Sequence, residues 1–454
     1  MQLVSKNILV DSHKPTSKYP PVYPQLKEFG LWNPNAWKNG QPHDFYSRMR
    51  SEAPVMWSDA GKKYAGFWSI SRYEDVKAIE VQPEIFSSER GSINMLVLPS
   101  EDSSHEKLMM AALNTLINLD EPRHMQMRIQ QKDFFVPQYV SEVSEKVEKE
   151  IDRLLDEVER AGPVVDFVKL FSNNLPLFTL CEMLGVEEAD RPRIVQWMHY
   201  LEMASQFTLN PWQTFLSEPS FPFKFNKNVT AMFQYGQDVM ADRRARPRHD
   251  LLSLIANTEL DGEKLPQEFL DGSWLLIIFA GNDTSRNSIT GALRLLTQFP
   301  DQKQMVLDDL SLVPQMVEES IRLTSPVIHM RRTALHDTQF RGQQIAEDEK
   351  VVLWYGAANR DPDVFPDPNR MDITRDNVTK HLAFGHGPHK CLGSRIAQMQ
   401  LRLSLTKILE RFPKIAWTGK QKLLRNNFVN AISSLEVNLY GPDGERPTQM
   451  QVRK

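Results

Sequence analysis

Apolar positions along the chain recur mostly at helical spacing, and two short parts alternate as strands do. Apolar residues three and four apart predict amphipathic helices, whereas alternation predicts strands. The helices predicted from this spacing cover residues 43–53, 73–82, 138–161, 172–184, 190–206, 226–244, 266–298 and 392–411. Short strands are predicted at Phe67–Ile70 and within Thr338–Val352. The predicted fold class is therefore mainly α with a small β-rich region.

Three segments interrupt this pattern. Residues 1–30 carry Pro15, Pro20, Pro21 and Pro24 and predict an extended N-terminal arm, with residues 31–454 as a single domain. Residues 90–118 have weak periodicity and predict a long mobile loop. Three prolines in Pro211–Phe225 predict that this segment is not a regular helix. Its aromatic residues either form a lid at a substrate entrance or fasten a surface loop.

Composition narrows the class of protein. The 454 residues are 41% hydrophobic and 25% charged with a formal net charge of −4, which is typical of a soluble globular protein and gives no basis for nucleic-acid binding. The first thirty residues show no secretory signal, and the longest apolar run, Trp274–Ala280, is far shorter than the roughly 20 residues that span a bilayer. We therefore expect a cytoplasmic protein without a membrane span.

The chain has only two cysteines, which is too few for a disulfide scaffold. Cys181 lies in the apolar stretch Leu175–Leu184 and is predicted to be a core residue. Cys391 lies among polar neighbours and remains open to a reactive or ligand role.

The segment HLAFGHGPHKCLG, residues 381–393, carries the strongest chemical signal. Gly385, Gly387 and Pro388 predict a rigid turn that presents Cys391 just before a helix. Backbone N–H groups at a helix N-terminus favour an anionic sulfur, so the pattern suits a thiolate ligand to iron. Two alternatives stay open at this point: a zinc site and a simple helix-start cysteine. The zinc site would take its ligands from His381, His386, His389 and Cys391.

The predicted helix over 266–298 contains the run Ala280-Gly281-Asn282-Asp283-Thr284 at its middle. Small residues there would allow a flat ligand to approach closely, and a Thr hydroxyl can bond back to the carbonyl one turn earlier. Asp283 and Thr284 are candidates for a proton relay. The alternative is a glycine kink beside a solvated aspartate.

Two further patterns are weak in isolation. Glu319 and Arg322 are three residues apart on a predicted helix, where a surface ion pair is the default interpretation. Arg370, in the proline-rich loop Pro368-Asn369-Arg370-Met371, is uninformative by itself.

Taken together, these segments resemble the cytochrome P450 superfamily of haem-thiolate monooxygenases over nearly the whole chain. Phe384, Gly387, Cys391 and Gly393 match its F-x-x-G-x-x-x-C-x-G signature. The run from Ala280 to Thr284 matches A-G-x-D/E-T, and Glu319 with Arg322 matches E-x-x-R. Arg370 matches the arginine of the following loop motif, in which Met371 replaces the usual Phe.

The resemblance implies a triangular-prism fold with haem b between the central helix and the Cys391 loop. It implies Cys391 as the axial thiolate and Asp283 with Thr284 as the catalytic proton donors. The implied cofactor contacts, several of them to the propionates, are His124, Arg128, Ala280, Gly281, Arg332, Phe384, Gly387, His389 and Gly393. Glu319, Arg322 and Arg370 are implied to hold the core beside the haem.

An apolar substrate is expected from the residues predicted to line the pocket, which are Leu276, Ile277, Val327, Ile328, Phe428, Ile432 and part of 92–98. Finer similarity is to bacterial members that hydroxylate alkanes, linalool-type terpenoids or sterol side chains. The expected reaction is insertion of one oxygen atom of O2 into a terminal or allylic methyl group.

No flavin or iron–sulfur motif accompanies these segments, so a separate ferredoxin and ferredoxin reductase are expected to supply electrons. Lys390, Arg395 and Arg402 are predicted to attract the acidic partner, and a monomer is expected. Two other functions are alternatives to a monooxygenase: a peroxide-driven peroxygenase and a non-catalytic haem sensor. A peroxide-driven peroxygenase usually lacks the acid–alcohol pair, and a haem sensor would need a partner-binding or DNA-binding module.

Overall fold

Helices form most of the chain, as the apolar spacing predicts. The computed structural model describes residues 16–26, 29–60, 65–93, 95, 108, 110–209 and 218–441. The helices among them are α1 (His43–Glu52), α2 (Tyr73–Glu80), α3 (Arg123–Lys132), α4 (Pro137–Ala161), α5 (Asn174–Leu184), α6 (Arg191–Leu209), α7 (Phe221–Ala245), α8 (Leu251–Asn257), α9 (Gln267–Gln298), α10 (Pro300–Asp308), α11 (Val313–Thr324), α12 (Tyr355–Ala358) and α13 (Ser394–Arg411).

Short strands form a smaller part of the molecule. They are β1 (Val55–Ser58), β2 (Phe67–Ile70), β3 (Phe86–Ser87), β4 (Val164–Asp166), β5 (Glu259–Leu260), β6 (Glu263–Lys264), β7 (His329–Ala334), β8 (Thr338–Phe340), β9 (Gln343–Ile345), β10 (Lys350–Trp354), β11 (Ala416–Leu423) and β12 (Ile432–Asn438). The structure confirms the prediction of a mainly helical chain with a small β-rich region.

The largest sheet joins the N-terminal strands to strands from far along the chain. Its order is β1-β2-β10-β7-β3. β2 and β10 are parallel, with Phe67 opposite Lys350 and Ile70 opposite Leu353. Both faces of β2 and β10 are buried, because Trp68 and Val351 pack into one apolar cluster while Phe67 packs into another. The other sheet of more than two strands has the order β11-β12-β4.

The central helix α9 crosses the largest apolar cluster of the core. Its 32 residues span about 48 Å at a rise of about 1.5 Å per residue. Proline is favoured just before a helix or in its first turn, and α9 starts directly after Pro266 while Pro300 begins the next helix. Most of its residues are buried, but Phe279, Ala280 and Gly281 near its middle are exposed. The helix therefore borders an open space at the position of the small residues.

The proline-rich segment differs in part from its prediction. Helix α7 begins at Phe221, so the last five residues of Pro211–Phe225 are helical. Pro222 is tolerated because the first turn of a helix has no intrahelical partner for its N–H. Residues 210–217, which contain the first seven residues of the predicted lid, lie outside the described residues.

Two other predicted segments are described only in part. Residues 1–15, 27 and 28 of the predicted arm lie outside the described residues. Within the remainder, the Lys18 amide donates to Glu349 at 2.8 Å and the Val22 amide donates to Gln343 at 2.6 Å. In the predicted loop 90–118, residues 110–113 are helical and Leu116–Asn118 form a 3-10 turn. None of the helices in the described ranges is long and apolar enough to cross a membrane.

Candidate active site

The Cys391 loop is held by its own backbone. Gly385 and Gly387 have φ values of +69° and +63°, a region that favours glycine, and they turn the chain before helix α13. A Cβ on Gly387 would also lie 2.7 Å from the carbonyl oxygen of Glu80. The Cys391 amide donates to the Phe384 carbonyl at 2.7 Å, which closes the turn. The cysteine is thus fixed three residues before α13 begins.

The two cysteines differ in their surroundings. Cys181 is fully buried, which confirms its prediction as a core residue, and burial raises the pKa of its thiol to about 11. Cys391 is solvent-accessible. The surrounding protein raises the pKa of the Cys391 thiol, whereas the amides of Gly393 and Ser394 and the charges of Arg128 and Lys390 lower it. Cys391 therefore has the access and the N–H donors that a thiolate ligand requires.

On α9, the residues of the predicted relay face different neighbours. The Thr284 hydroxyl donates to the Ala280 carbonyl at 3.0 Å, as a mid-helix threonine can. A Cβ on Gly281 would lie 3.1 Å from Leu180 Cδ1, so this glycine lets α5 approach the central helix. Ala280 is exposed beside it. The helix remains regular through this run, so a glycine kink is absent from α9.

Asp283 borders a cavity of mixed polar and apolar lining between α9, α5 and α6. Its carboxylate lies 3.4 Å from Arg286 Nη2 and 3.3 Å from Asn282 Nδ2. Arg286 is buried and also lies 3.5 Å from Asn173 Oδ1. The cavity has a volume of about 220 Å³, and its lining includes Asn173, Val195, Met198, His199, Asp283 and Arg286. The Asp283 carboxylate therefore borders a space large enough for several water molecules on its own side of the helix.

Cationic side chains from three elements lie around the Cys391 loop. The rings of His124 and His389 are 4.1 Å apart between centroids. Burial lowers the pKa of His389 well below its usual range, and the charges of Arg332, His124 and Arg128 lower it further. Arg128 Nη2 donates to the Lys390 carbonyl. The charges of Arg128 and Arg332 fit the carboxylates of haem, the cofactor that the resemblance implies, and the accessible thiol of Cys391 fits its iron.

Glu80 is a site residue that the sequence analysis missed. It is buried, accepts a hydrogen bond from the Tyr355 hydroxyl, and lies 3.7 Å from Arg332 Nη2. Burial raises the pKa of Glu80 to about 7, although Arg332 and Tyr355 oppose this. Its signal in the sequence was an acid on the apolar face of α2, seven residues after Tyr73 and four after Val76.

The Glu319–Arg322 pair is a buried network and not a surface ion pair. Both side chains are fully buried, and Arg322 donates two bonds to Glu319, at 2.6 and 2.7 Å. The second arginine on Glu319 is Arg375, whose Nε lies 3.1 Å away. The prediction for Arg370 is wrong, because its half-exposed side chain pairs with Asp301 at the surface. Only the Arg370 carbonyl joins the network, as an acceptor for Arg322 at 3.3 Å.

Ligands for the alternative zinc site do not converge. His381 Nε2 lies 3.1 Å from Glu318, whereas His389 lies 3.2 Å from the Ser88 hydroxyl. Within the ranges that the structure covers, no three His, Cys, Asp or Glu side chains are grouped as a metal centre requires.

Two of the predicted substrate contacts are wrong. Ile328 is 1% exposed and packs in the apolar cluster with Trp37 and Trp354, and Ile432 is 0% exposed in the main core. Side chains with no accessible surface cannot touch a ligand. The four that are partly exposed stay predictions: Leu276, Ile277, Val327 and Phe428. Of the predicted 92–98 stretch, residues 94 and 96–98 lie outside the described residues.

Comparisons with known proteins agree on one family. The family model described as Cytochrome P450 matches residues 20–438. Linalool 8-monooxygenase of Pseudomonas putida is 33% identical over 415 residues, covering 90% of this chain and 98% of that protein. A methyl-branched lipid omega-hydroxylase of Mycobacterium tuberculosis is 30% identical over 410 residues, covering 86% and 90%.

Solved structures give the same result. Cytochrome P450 CYP268A2 of Mycobacterium marinum, in complex with pseudoionone, superposes with a TM-score of 0.80 at 30% identity, covering 93% of this chain and all of that one. Cytochrome P450-153 of Novosphingobium aromaticivorans has a TM-score of 0.77 at 31% identity, covering 90% and 98%. The chain therefore belongs to the cytochrome P450 family of monooxygenases, whose cofactor is haem with a cysteine-ligated iron.

Proposed function

We propose that this monooxygenase hydroxylates a terminal or allylic methyl group of a terpenoid, an alkyl chain or a sterol side chain. The observation that carries the site assignment is the accessible Cys391 thiol, held before helix α13 with cationic side chains around it. The substrate class is supported by similarity to a linalool 8-monooxygenase, to a methyl-branched lipid omega-hydroxylase and to a steroid C26-monooxygenase of Rhodococcus jostii that is 28% identical.

In this proposal Cys391 ligates the haem iron. His124, Arg128, Arg332 and His389 would hold the propionates, and the backbone at Phe384, Gly387 and Gly393 would support the Cys391 loop. Ala280 and the exposed backbone of Gly281 would leave room for the cofactor. When bound, haem ligated by a thiolate supplies the activation of O2 and the insertion of oxygen into a C–H bond.

Asp283 and Thr284 handle protons. Arg286 keeps the Asp283 carboxylate beside the 220 Å³ cavity, where water can reach it. The Asp283 carboxylate takes a proton from water in this cavity and passes it to the Thr284 hydroxyl through bridging water, because neighbouring residues of a helix point to different faces. The hydroxyl must rotate away from the Ala280 carbonyl to donate elsewhere. A positioned acid of this kind directs protons to reacting oxygen in place of bulk water.

Replacing Thr284 with alanine is expected to uncouple oxygen consumption from product formation. The fraction of consumed O2 that appears as product should fall at least about tenfold, because a positioned proton donor contributes about 10²-fold or more to the step it serves. Hydrogen peroxide should rise in step. Thr290→Ala is the matched control, because Thr290 makes the same bond to a carbonyl four residues earlier on α9. Full coupling in Thr284→Ala would contradict the relay.

Spectral titration of the ferric holoenzyme tests the substrate class. Linalool, medium-chain alkanes, fatty acids and sterols should be added separately, and a shift of the haem from low to high spin measures binding. We expect the shift with an uncharged apolar ligand, because the four partly exposed residues predicted to contact the substrate are apolar. A shift with fatty acids alone would overturn the expectation of an uncharged ligand, and a shift with none of the four would contradict the proposed substrate class.

We also propose that a ferredoxin delivers electrons at the Cys391 side. Lys390, Arg395 and Arg402 are exposed there, and the exposed apolar Met125 and Ile129 lie on α3 on either side of Arg128. An apolar centre with a basic rim suits an acidic protein partner.

Changing Lys390, Arg395 and Arg402 together to Glu is expected to lower kcat/KM for ferredoxin by about tenfold or more at low salt, since steering charges change association rates by that order. The change should shrink as salt is added. Arg246→Glu on the exposed end of α7 is the control. Unchanged ferredoxin-supported turnover in the triple variant would exclude this docking face.

The remaining expectations stay predictions: the cytoplasmic location, the monomeric state, and the division into an arm over 1–30 and one domain over 31–454.

A further inference from the structure

A second group of cationic side chains lies on elements that the Cys391 loop does not use. His43 and Arg50 are on α1, Arg294 is near the end of α9, and Arg360 follows α12. We call these four the arginine cluster. Contacts bring them together: Arg50 donates to the Ala357 carbonyl and Arg360 to the Leu323 carbonyl. A Cβ on Gly291, one turn before Arg294, would lie 2.4 Å from the hydroxyl of Thr324, the residue after Leu323. In keeping with this, the charges of the three arginines lower the pKa of His43.

The arginines of this cluster bond only to neutral acceptors. Arg50 donates to the Ala357 carbonyl at 2.8 Å. Arg360 donates to the Leu323 carbonyl at 3.0 Å and to Asn369 at 2.9 Å. Arg294 makes no hydrogen bond or ion pair with any residue in the described part of the chain. Three guanidinium groups therefore share a mostly buried region without a carboxylate bound to any of them.

The nearest carboxylates are already engaged. The negative charge of Asp361 raises the pKa of Arg50, and the Asp361 carboxylate accepts hydrogen bonds from the Tyr73 amide at 2.9 Å and the Asp363 amide at 3.2 Å. The negative charge of Glu319 raises the pKa of Arg360, but its carboxylate already accepts hydrogen bonds from Arg322 and Arg375. A buried charge without a counter-charge is costly. The three arginines share one carboxylate, Asp361, that is not held by another arginine, so negative charge from outside the chain would stabilise the cluster.

Unsatisfied polar atoms point into the same region. The Tyr46 hydroxyl is fully buried and lies near enough to Arg50 for its charge to act on the tyrosine. Among the residues placed by the structure, no partner is found for Tyr46 Oη, Arg50 Nε, Arg294 Nε or His43 Nδ1. The rings of His43 and Tyr46 are 6.2 Å apart between centroids. Buried polar atoms are nearly always paired, so four unpaired ones on the cluster and on its neighbour Tyr46 fit a ligand that accepts hydrogen bonds.

We propose that the arginine cluster, with the Tyr46 hydroxyl, binds a small inorganic anion between α1, the end of α9 and the segment after α12. Chloride and phosphate are of this class. Such an anion joins the N-terminal helix to the central helix, so it stabilises the fold without entering the reaction at Cys391.

Thermal unfolding of the holoenzyme in different anions tests the proposal. Sodium chloride or sodium phosphate should replace sodium gluconate at constant ionic strength. A ligand at ten times its dissociation constant raises the folding equilibrium constant about elevenfold, so Tm should rise with chloride or phosphate and level off. A Tm that is independent of the anion would overturn the proposal.

Variants locate the effect. Arg294→Met should abolish the rise in Tm with anion, whereas Arg244→Met should keep it. Arg244 is a matched control because it lies on α7 and bonds only to the carbonyls of Ala256 and Leu265. An equal response in Arg294→Met and wild type would place the anion elsewhere and overturn the assignment.

Crystals of the wild-type holoenzyme soaked in bromide keep the test decisive if Arg294→Met does not fold. An anomalous peak within hydrogen-bond distance of Arg294 and Tyr46 would support the site. Density for water alone at that position would contradict it. Neither result depends on the substrate class, so a wrong substrate proposal leaves this test intact.

Discussion

Replacing Cys391 with serine is expected to remove the strongly red-shifted Soret band that the reduced, CO-bound protein should show. A serine hydroxyl stays protonated where the thiol, with the Gly393 and Ser394 amides and Arg128 nearby, can ionise. Hydroxylation supported by O2 should fall more than about 100-fold, since losing a metal ligand costs more than the 10–100-fold typical of groups that only orient one. The spectrum and the turnover are both measured on purified protein.

Cys181→Ser is the control for this change. Cys181 is fully buried and distant in sequence from the loop, so the red-shifted band should persist while the free energy of unfolding falls by about 1–3 kcal/mol. If Cys391→Ser kept the band and Cys181→Ser lost it, the assignment of the iron ligand would be reversed.

Changing Glu319 to glutamine is expected to lower the free energy of unfolding by about 3–5 kcal/mol, the cost of breaking a buried ion pair by removing one partner. Arg322 and Arg375 would lose their shared carboxylate, and the Asp372 amide would lose its strongest acceptor. Chemical denaturation of the holoenzyme measures the change, and haem content should fall with it.

Replacing Arg370 with alanine tests whether the surface pair of Arg370 with Asp301 contributes to stability as the buried Glu319 network does. Arg370 and Asp301 are both about half exposed, so little change in stability is expected. A loss as large as that of Glu319→Gln would show that the family's loop arginine does support the core. If Glu319→Gln fails to fold, Glu319→Asp, which keeps the charge, should recover folded protein.

The helices were predictable from apolar spacing because their buried faces are long and regular. The central helix was predicted over 266–298 and runs over Gln267–Gln298. The error at Pro211–Phe225 arose because prolines forbid only a helix interior, and Pro222 falls in the first turn of α7. Sequence marks a proline but not which turn of a helix it will occupy.

Sequence motifs predicted which residues belong to the site, but they did not predict which neighbours those side chains contact. The motif around Cys391 fixed which cysteine is accessible, yet the neighbouring loop motif indicated Arg370 where the structure uses Arg375 on Glu319. Both arginines lie in one irregular loop, where no periodicity sets the direction of a side chain. Ile328 and Ile432 were misassigned for a related reason, because an apolar residue suits a pocket wall and a core equally.

The parallel pairing of β2 with β10 sets a time order for folding. Phe67 lies opposite Lys350, about 280 residues later, so roughly 15 to 60 s of synthesis separate the two strands at 5–20 residues per second. Until β10 emerges, β2 presents an unpaired edge with Trp68 on one face, which invites pairing with other chains. Cys391 emerges later still. A nascent chain therefore contains the whole central helix before it has the cysteine that would ligate haem.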